Sequence, residues 1–158
     1  MPIIDKDRFL ALFATLGPVG HVPFAPGTVG TLACVPFVWM LGALNAHWTF
    51  YLTLTLVVIV IGTIASSKAE EILGKKDPSS VVIDEFAGYM VAMALLPATV
   101  GYLIAGFFLF RFFDIVKPPP IRSLERLGGG PGIMADDLLA GIITSAILHA
   151  WRLMGQIG

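Results

Sequence analysis

The sequence is poor in charge and nearly without cysteine. Acidic and basic side chains make up 13% of its 158 residues, about half the share of an ordinary soluble domain. That leaves too little polar surface to clothe a water-soluble body. Ten basic residues against 11 acidic ones give a net charge of −1, so no cationic excess is available for binding nucleic acid. The single cysteine, Cys34, excludes both a disulfide framework and a cysteine-rich zinc site.

What is present is apolar. Hydrophobic residues make up 56% of the chain before its 17 glycines are counted, and the mean hydropathy is +0.85. This composition excludes disorder and points to the bilayer as solvent. The length fits one domain, residues 1–158. A short apolar run, Phe9 to Leu16, follows Asp5-Lys6-Asp7-Arg8. That stretch is not purely basic, the run breaks at Gly17-Pro18, and no small-x-small site follows. A solvated leader is expected rather than a signal peptide.

Thr28 to Leu44 and Trp48 to Ala65 are uncharged, each near the ~20 residues that a spanning helix needs. The short polar link Asn45-Ala46-His47 makes them a hairpin, with Trp39, Trp48 and Tyr51 towards one interface. The polar stretch from Ser66 to Asp84 carries Lys68, Lys75 and Lys76 and is expected to face the cytoplasm. Phe86 to Phe110 is an uncharged run of 25 residues, long for one span and short for two. A single crossing would place Arg111, Lys117, Arg122 and Arg126 opposite those lysines, against the positive-inside tendency. A tight hairpin with its tip at Pro97-Ala98-Thr99 keeps the charges together. A last span, Leu138 to Leu153, follows a glycine-rich loop, Gly128 to Gly132. The expected fold is all-α, a polytopic membrane helix bundle of about five spans. Phe9 to Ala25, broken by Gly17, Pro18, Gly20 and Pro23, forms a re-entrant or interfacial N-terminal segment.

In this topology Asp77, Asp84, Glu85, Asp114, Asp136 and Asp137 share one membrane face. An acid in hydrocarbon costs roughly 2.5–3.5 kcal/mol at a helix centre, so these residues need compensation. Ion pairs with the nearby basic residues are one form of it. Adjacent acids repel, however, and Asp84-Glu85 and Asp136-Asp137 are more readily reconciled by a hard divalent cation. Mg²⁺ takes oxygen ligands and commonly shares them with a phosphate, so a phosphorylated substrate is expected. Arg111, Asp114 and Lys117 recur every third residue and stack on one helix face, either to hold metal and phosphate or as a salt-bridge ladder. Gly27 and Thr28 open the first span, where backbone N–H groups can receive an anion and Thr28 can cap the helix; a rigid lead-in is the other reading. Arg122 is a further phosphate candidate, while Asp77 reads as a helix cap. His21, His47 and His149 are scattered and no phosphate loop surrounds Cys34. Water activated by metal and carboxylate remains as the attacking group.

Four ordered motifs, Ala25-Pro26-Gly27-Thr28-Val29-Gly30, Asp77 to Glu85, Phe110 to Ile121 and Gly132 to Asp137, closely resemble the phosphatidylglycerophosphatase A family. The resemblance runs from about Gly20 to Gly141. Thr31 stands where that family often has serine, and Gly17-Pro18-Val19-Gly20 varies its glycine-rich lead-in. The resemblance implies an all-helical, Mg²⁺-dependent lipid phosphatase of the bacterial inner membrane, active site towards the cytoplasm, converting phosphatidylglycerophosphate to phosphatidylglycerol and phosphate. The family's acidic positions fall on Asp84, Glu85, Asp114, Asp136 and Asp137, and its basic position on Lys117. The expected site therefore has Asp84, Glu85, Asp114 and Asp137 in catalysis, all five acids at the metal, and Gly27, Thr28, Arg111, Lys117 and Arg122 on the substrate. Two other classes compete. A phosphatidyl-alcohol transferase would carry an aspartate signature that is missing here, and an ion carrier would hold its acids near the midplane.

Overall fold

The computed structural model describes residues 6–124 and 126–155; Asp5 of the leader lies outside the described residues. Within them every regular element is helical: α1 (Lys6–Ala14), a 3₁₀ turn (Val19–His21), α2 (Pro26–Ala43), α3 (Trp48–Leu73), α4 (Ile83–Ala92), α5 (Val100–Val116), α6 (Ile121–Leu124) and α7 (Gly129–Leu153). Three of them, α2, α3 and α7, are long and apolar enough to cross a membrane. Their outer faces carry large exposed apolar side chains such as Leu32, Leu56, Val60, Ile64 and Ile142, as helices facing lipid do.

The expected hairpin of α2 and α3 is present, with His47 accepting the Thr49 N–H at the start of α3. The run from Phe86 to Phe110 also folds back on itself, but the break comes earlier than its proline. Helix α4 stops at Ala92, and the chain stays non-helical through Thr99 with Leu95 left-handed at φ 62°. Ten residues rise only about 15 Å, half the hydrocarbon thickness, so α4 does not cross by itself. The physical reason lies in its partners. Non-helical backbone at membrane depth persists only where protein satisfies it. Here Tyr51 Oη donates to the Met90 carbonyl at 2.8 Å, His149 Nε2 to Ala94 at 3.0 Å, and Arg152 Nη1 to Leu95 at 3.1 Å.

The glycine-rich stretch before the last span is not a loop. Helix α7 begins at Gly129, nine residues ahead of the expected Leu138, and only Gly128 precedes it as N-cap. Gly130 and Gly132 serve close packing. The Gly130 N–H donates to Ser67 Oγ at 2.9 Å, and a Cβ at Gly130 would lie 1.9 Å from the Thr63 carbonyl oxygen of α3. Asp136 and Asp137 consequently sit two turns inside α7 rather than at its mouth.

Helix directions alternate. Gly30, early in α2, abuts Val82 while Gly42, late in α2, abuts Ala98. Gly62 of α3 lies beside Ile83 and Met134, whereas Tyr51, at the start of α3, reaches Met90. Helices α4 and α7 run in parallel, from the Gly88–Asp137 contact to the Ala94–His149 contact. Thus α2, α4 and α7 begin, and α3 and α5 end, at one end of the bundle. The lysines after α3 and the basic residues after α5 share that end, as the charge argument required.

The N-terminal segment forms α1 and the 3₁₀ turn. Lys68 of α3 bridges Asp7 at 3.0 Å and Glu71 at 2.9 Å, Leu10 and Phe13 pack inward, and Phe9 and Leu12 stay exposed.

Tyr51→Phe removes the donor to Met90 and should destabilise the protein by about 1–3 kcal/mol, the cost of orphaning a buried carbonyl. The thermal midpoint in detergent reads this directly; an unchanged midpoint would show that the broken hairpin holds itself.

Candidate active site

The site follows from a contact between glycines. A Cβ at Gly141 would lie 2.3 Å from the Gly88 carbonyl oxygen, and one at Gly88 would lie 2.8 Å from that of Asp137. Helices α4 and α7 therefore touch backbone to backbone. Four residues before each glycine, one helical turn, stand Asp84 and Asp137. The crossing brings these two acids together, and Glu85 joins them. Each of the three offers a carboxylate oxygen within 4.8 Å of the others.

Asp84, Asp136 and Asp137 are buried. Among the described residues, Asp84 Oδ1, Glu85 Oε2, Asp136 Oδ1 and Asp137 Oδ2 are buried oxygens without a hydrogen-bond partner. Burying such oxygens costs several kcal/mol unless they are compensated. An all-oxygen donor set of this kind suits a hard divalent cation, so the residues present fit one.

The remaining two acids are matched to cations. Arg111 pairs with Asp114 on α5, the i, i+3 contact read from the sequence. Lys117 does not extend that ladder. Helix α5 ends at Val116, Lys117 turns left-handed at φ 45°, and its ammonium pairs with Asp136 of α7. The expected stack of three on one face is thus two residues on α5 and a third that crosses to α7, because the helix ends before the third position.

A cavity of about 410 Å³ collects these groups: Gly27, Asp77, Ser79, Asp84, Glu85, Arg111, Asp114, Ile115, Lys117, Asp136 and Asp137 are in its wall. Eight of the sequence candidates meet there. Thr28 and Arg122 are not in that wall. Thr28 does not cap α2 either, because Pro26 opens the helix behind a left-handed Ala25 with no side-chain cap, a use of proline's fixed φ and missing N–H. Asp77 lies in the loop at φ 47°, while α4 starts behind Val82 without a side-chain cap. Ser79, Ile115 and the two crossing glycines were missed. The glycines had a signal, since Asp84…Gly88 and Asp137…Gly141 repeat the same four-residue spacing of acid and small residue.

The description of the family Phosphatidylglycerophosphatase A matches residues 12–152. A phosphatidylglycerophosphatase A of Escherichia coli is 38% identical over 140 residues, covering 85% of this chain and 80% of that protein. One of Haemophilus influenzae is 39% identical over 134 residues, covering 83% and 81%. A Bacteroides thetaiotaomicron protein, provisionally named a phosphatidylinositol-3-phosphatase, is 38% identical over 140 residues, covering 84% and 87%. No solved structure matches the chain.

Gly27 packs so closely that a Cβ there would lie 2.1 Å from Glu85 Oε1 and 3.4 Å from Arg111 Nη1. Gly27→Ala should displace Glu85 and weaken divalent-cation binding by about tenfold, the scale of a disturbed ligand setting. Calorimetric titration of the metal checks this; affinity equal to wild type would show that the backbone approach has no bearing on the cluster.

Proposed function

Because the chain belongs to the phosphatidylglycerophosphatase A family, we propose that it hydrolyses phosphatidylglycerophosphate to phosphatidylglycerol and phosphate, using Mg²⁺ at the Asp84, Glu85 and Asp137 cluster. The observation that carries this reading is the set of buried, unpartnered carboxylate oxygens beside two cationic side chains in one cavity. Mg²⁺ bound there would offset phosphoryl charge and make a water more acidic.

The chain's own residues supply the rest. Arg111 presents a planar fork of donors to phosphate oxygens, and Lys117 presents a compact ammonium. Asp114 and Asp136 hold these cations in place through their ion pairs, so in this reading they orient substrate ligands rather than bind metal directly. Gly27 brings the start of α2, with its unsatisfied first-turn N–H groups, to the same wall. A cluster carboxylate accepts a proton from the attacking water. The water oxygen bonds to phosphorus as the P–O bond to the glycerol breaks, and the proton held by that carboxylate passes to the leaving oxygen, giving the alcohol of phosphatidylglycerol and inorganic phosphate. Thr28 and Arg122 drop out of the proposed substrate set.

The site end carries Lys68, Lys75, Lys76, Arg111, Lys117, Arg122 and Arg126, which favours the cytoplasmic face of a bacterial inner membrane. Exposed Phe9 and Leu12 on α1 favour an interfacial position for the N-terminal segment.

Purified protein should release phosphate from phosphatidylglycerophosphate in mixed micelles with Mg²⁺ and stop on chelation, with phosphatidylinositol-3-phosphate as the comparison lipid. Asp84→Asn and Asp137→Asn should each lower release on the order of a hundredfold or more while inserting normally. Activity within a few-fold of wild type in both variants would refute the metal cluster.

Topology has its own measurement. In a Cys34→Ala background, cysteines at Lys76 and Arg126 should react only from the cytoplasm and one at Ala46 only from outside. Periplasmic labelling at Arg126 would contradict the proposed orientation.

A further inference from the structure

The wall of the carboxylate cavity is exposed and polar in one part and apolar in another. Towards the loop after α3, its rim holds the exposed polar residues Asp77 and Ser79. From the lead-in and start of α2 and the last turn of α5 the wall receives Ala25, Pro26, Gly27 and Ile115. Ile115 lines the cavity and is still 67% exposed, so one edge faces the cavity and the other faces out. The other large aliphatic wall residues, Val81 and Ile133, are buried.

From Ile115 an apolar stripe runs back along α5. Ile104, Phe108, Phe112 and Ile115 are all more than half exposed, and their spacing of four, four and three keeps them on one helix face. Eleven residues rise about 16 Å, close to one leaflet of a hydrocarbon core roughly 30 Å thick. Phe24, 84% exposed, flanks this apolar part of the wall from the α2 side. A comparable stripe on α3, Leu56, Val60 and Ile64, is equally exposed, but no residue of α3 is in the cavity wall.

We propose that the apolar wall at Ile115 is a lateral portal: the diacylglycerol part of the phospholipid lies along the α5 stripe while its phosphorylated headgroup reaches the carboxylate cavity. This rests on the phospholipid-phosphatase reading above. The occupant follows from continuity. A molecule whose polar end sits among Arg111, Lys117 and the acids, and whose other end is as long as one leaflet, finds along α5 an apolar path that starts at the cavity wall itself. A lipid arriving sideways never has to lift its chains into water, which would cost about 0.8 kcal/mol for each CH₂.

Two measurements test the portal. First, phosphatidylglycerophosphate bearing a diazirine in its acyl chain is bound to Asp84→Asn protein and irradiated, and the adducts are mapped by mass spectrometry. Adducts should concentrate on residues 104–115 and fall when unlabelled phosphatidylglycerophosphate competes. Equal, uncompeted labelling of α3 around Leu56 to Ile64 would overturn the portal, whatever the turnover.

Second, Phe112→Gln should lower kcat/KM for the long-chain lipid roughly five- to tenfold relative to a short-chain soluble analogue, and Val60→Gln should leave that ratio as in wild type. An unchanged ratio in Phe112→Gln would also overturn it. Failure of the phosphatase reading looks different: wild-type protein releases no phosphate from either lipid, while the labelling pattern still decides the portal.

Discussion

Everything at the functional end of this protein depends on two helices meeting without side chains between them. Gly88 and Gly141 let α4 and α7 touch through backbone, and the parallel course of the two helices then places the residue one turn earlier on each at the same height. Those residues are Asp84 and Asp137. Among lipid-facing helices there is little hydrophobic drive to associate, so close backbone approach and van der Waals contact hold them together. In this bundle the same contact also gathers carboxylates that would otherwise repel each other.

The five central acids fall into two sets. Asp114 and Asp136 are neutralised locally by Arg111 and Lys117. Asp84, Glu85 and Asp137 retain buried oxygens without partners, as does the Asp136 oxygen that Lys117 does not reach. Separating the two sets has a chemical consequence, because cations engaged with their own carboxylates can stand beside the cluster without cancelling its charge. Ion pairing therefore accounts for one part of this acidic group, and the oxygens it leaves unpartnered are the part that the proposed cation would occupy.

At the opposite end the constraint is hydrogen bonding. Helix α4 breaks after ten residues, and Tyr51, His149 and Arg152, from α3 and α7, serve the carbonyls it exposes. The short α4 thus remains anchored at both ends, by the glycine crossing near the acids and by borrowed donors near the turn. Cys34 is fully buried, and its thiol donates to the Phe86 carbonyl at 3.4 Å.

Composition and local pattern alone determined the helical class, the hairpin of α2 and α3, the fold-back within Phe86 to Phe110, and the acids that converge. These are properties of single segments: apolar length, charge placement, and the clustering of acids at segment ends. Helix ends and side-chain pairings were decided by the tertiary structure. Gly128 to Gly132 reads as a loop by glycine content, yet it is mostly helix, and α3 leaves no room for a Cβ at Gly130. Lys117 reads as the third member of an α5 ladder, yet the helix ends one residue before it and Asp136 of α7 claims its ammonium. Thr28 reads as a cap, but Pro26 already starts the helix. For Gly130 and Lys117 the deciding partner lies on another helix, of which a local pattern carries no record; for Thr28 it is the neighbouring Pro26, a local signal.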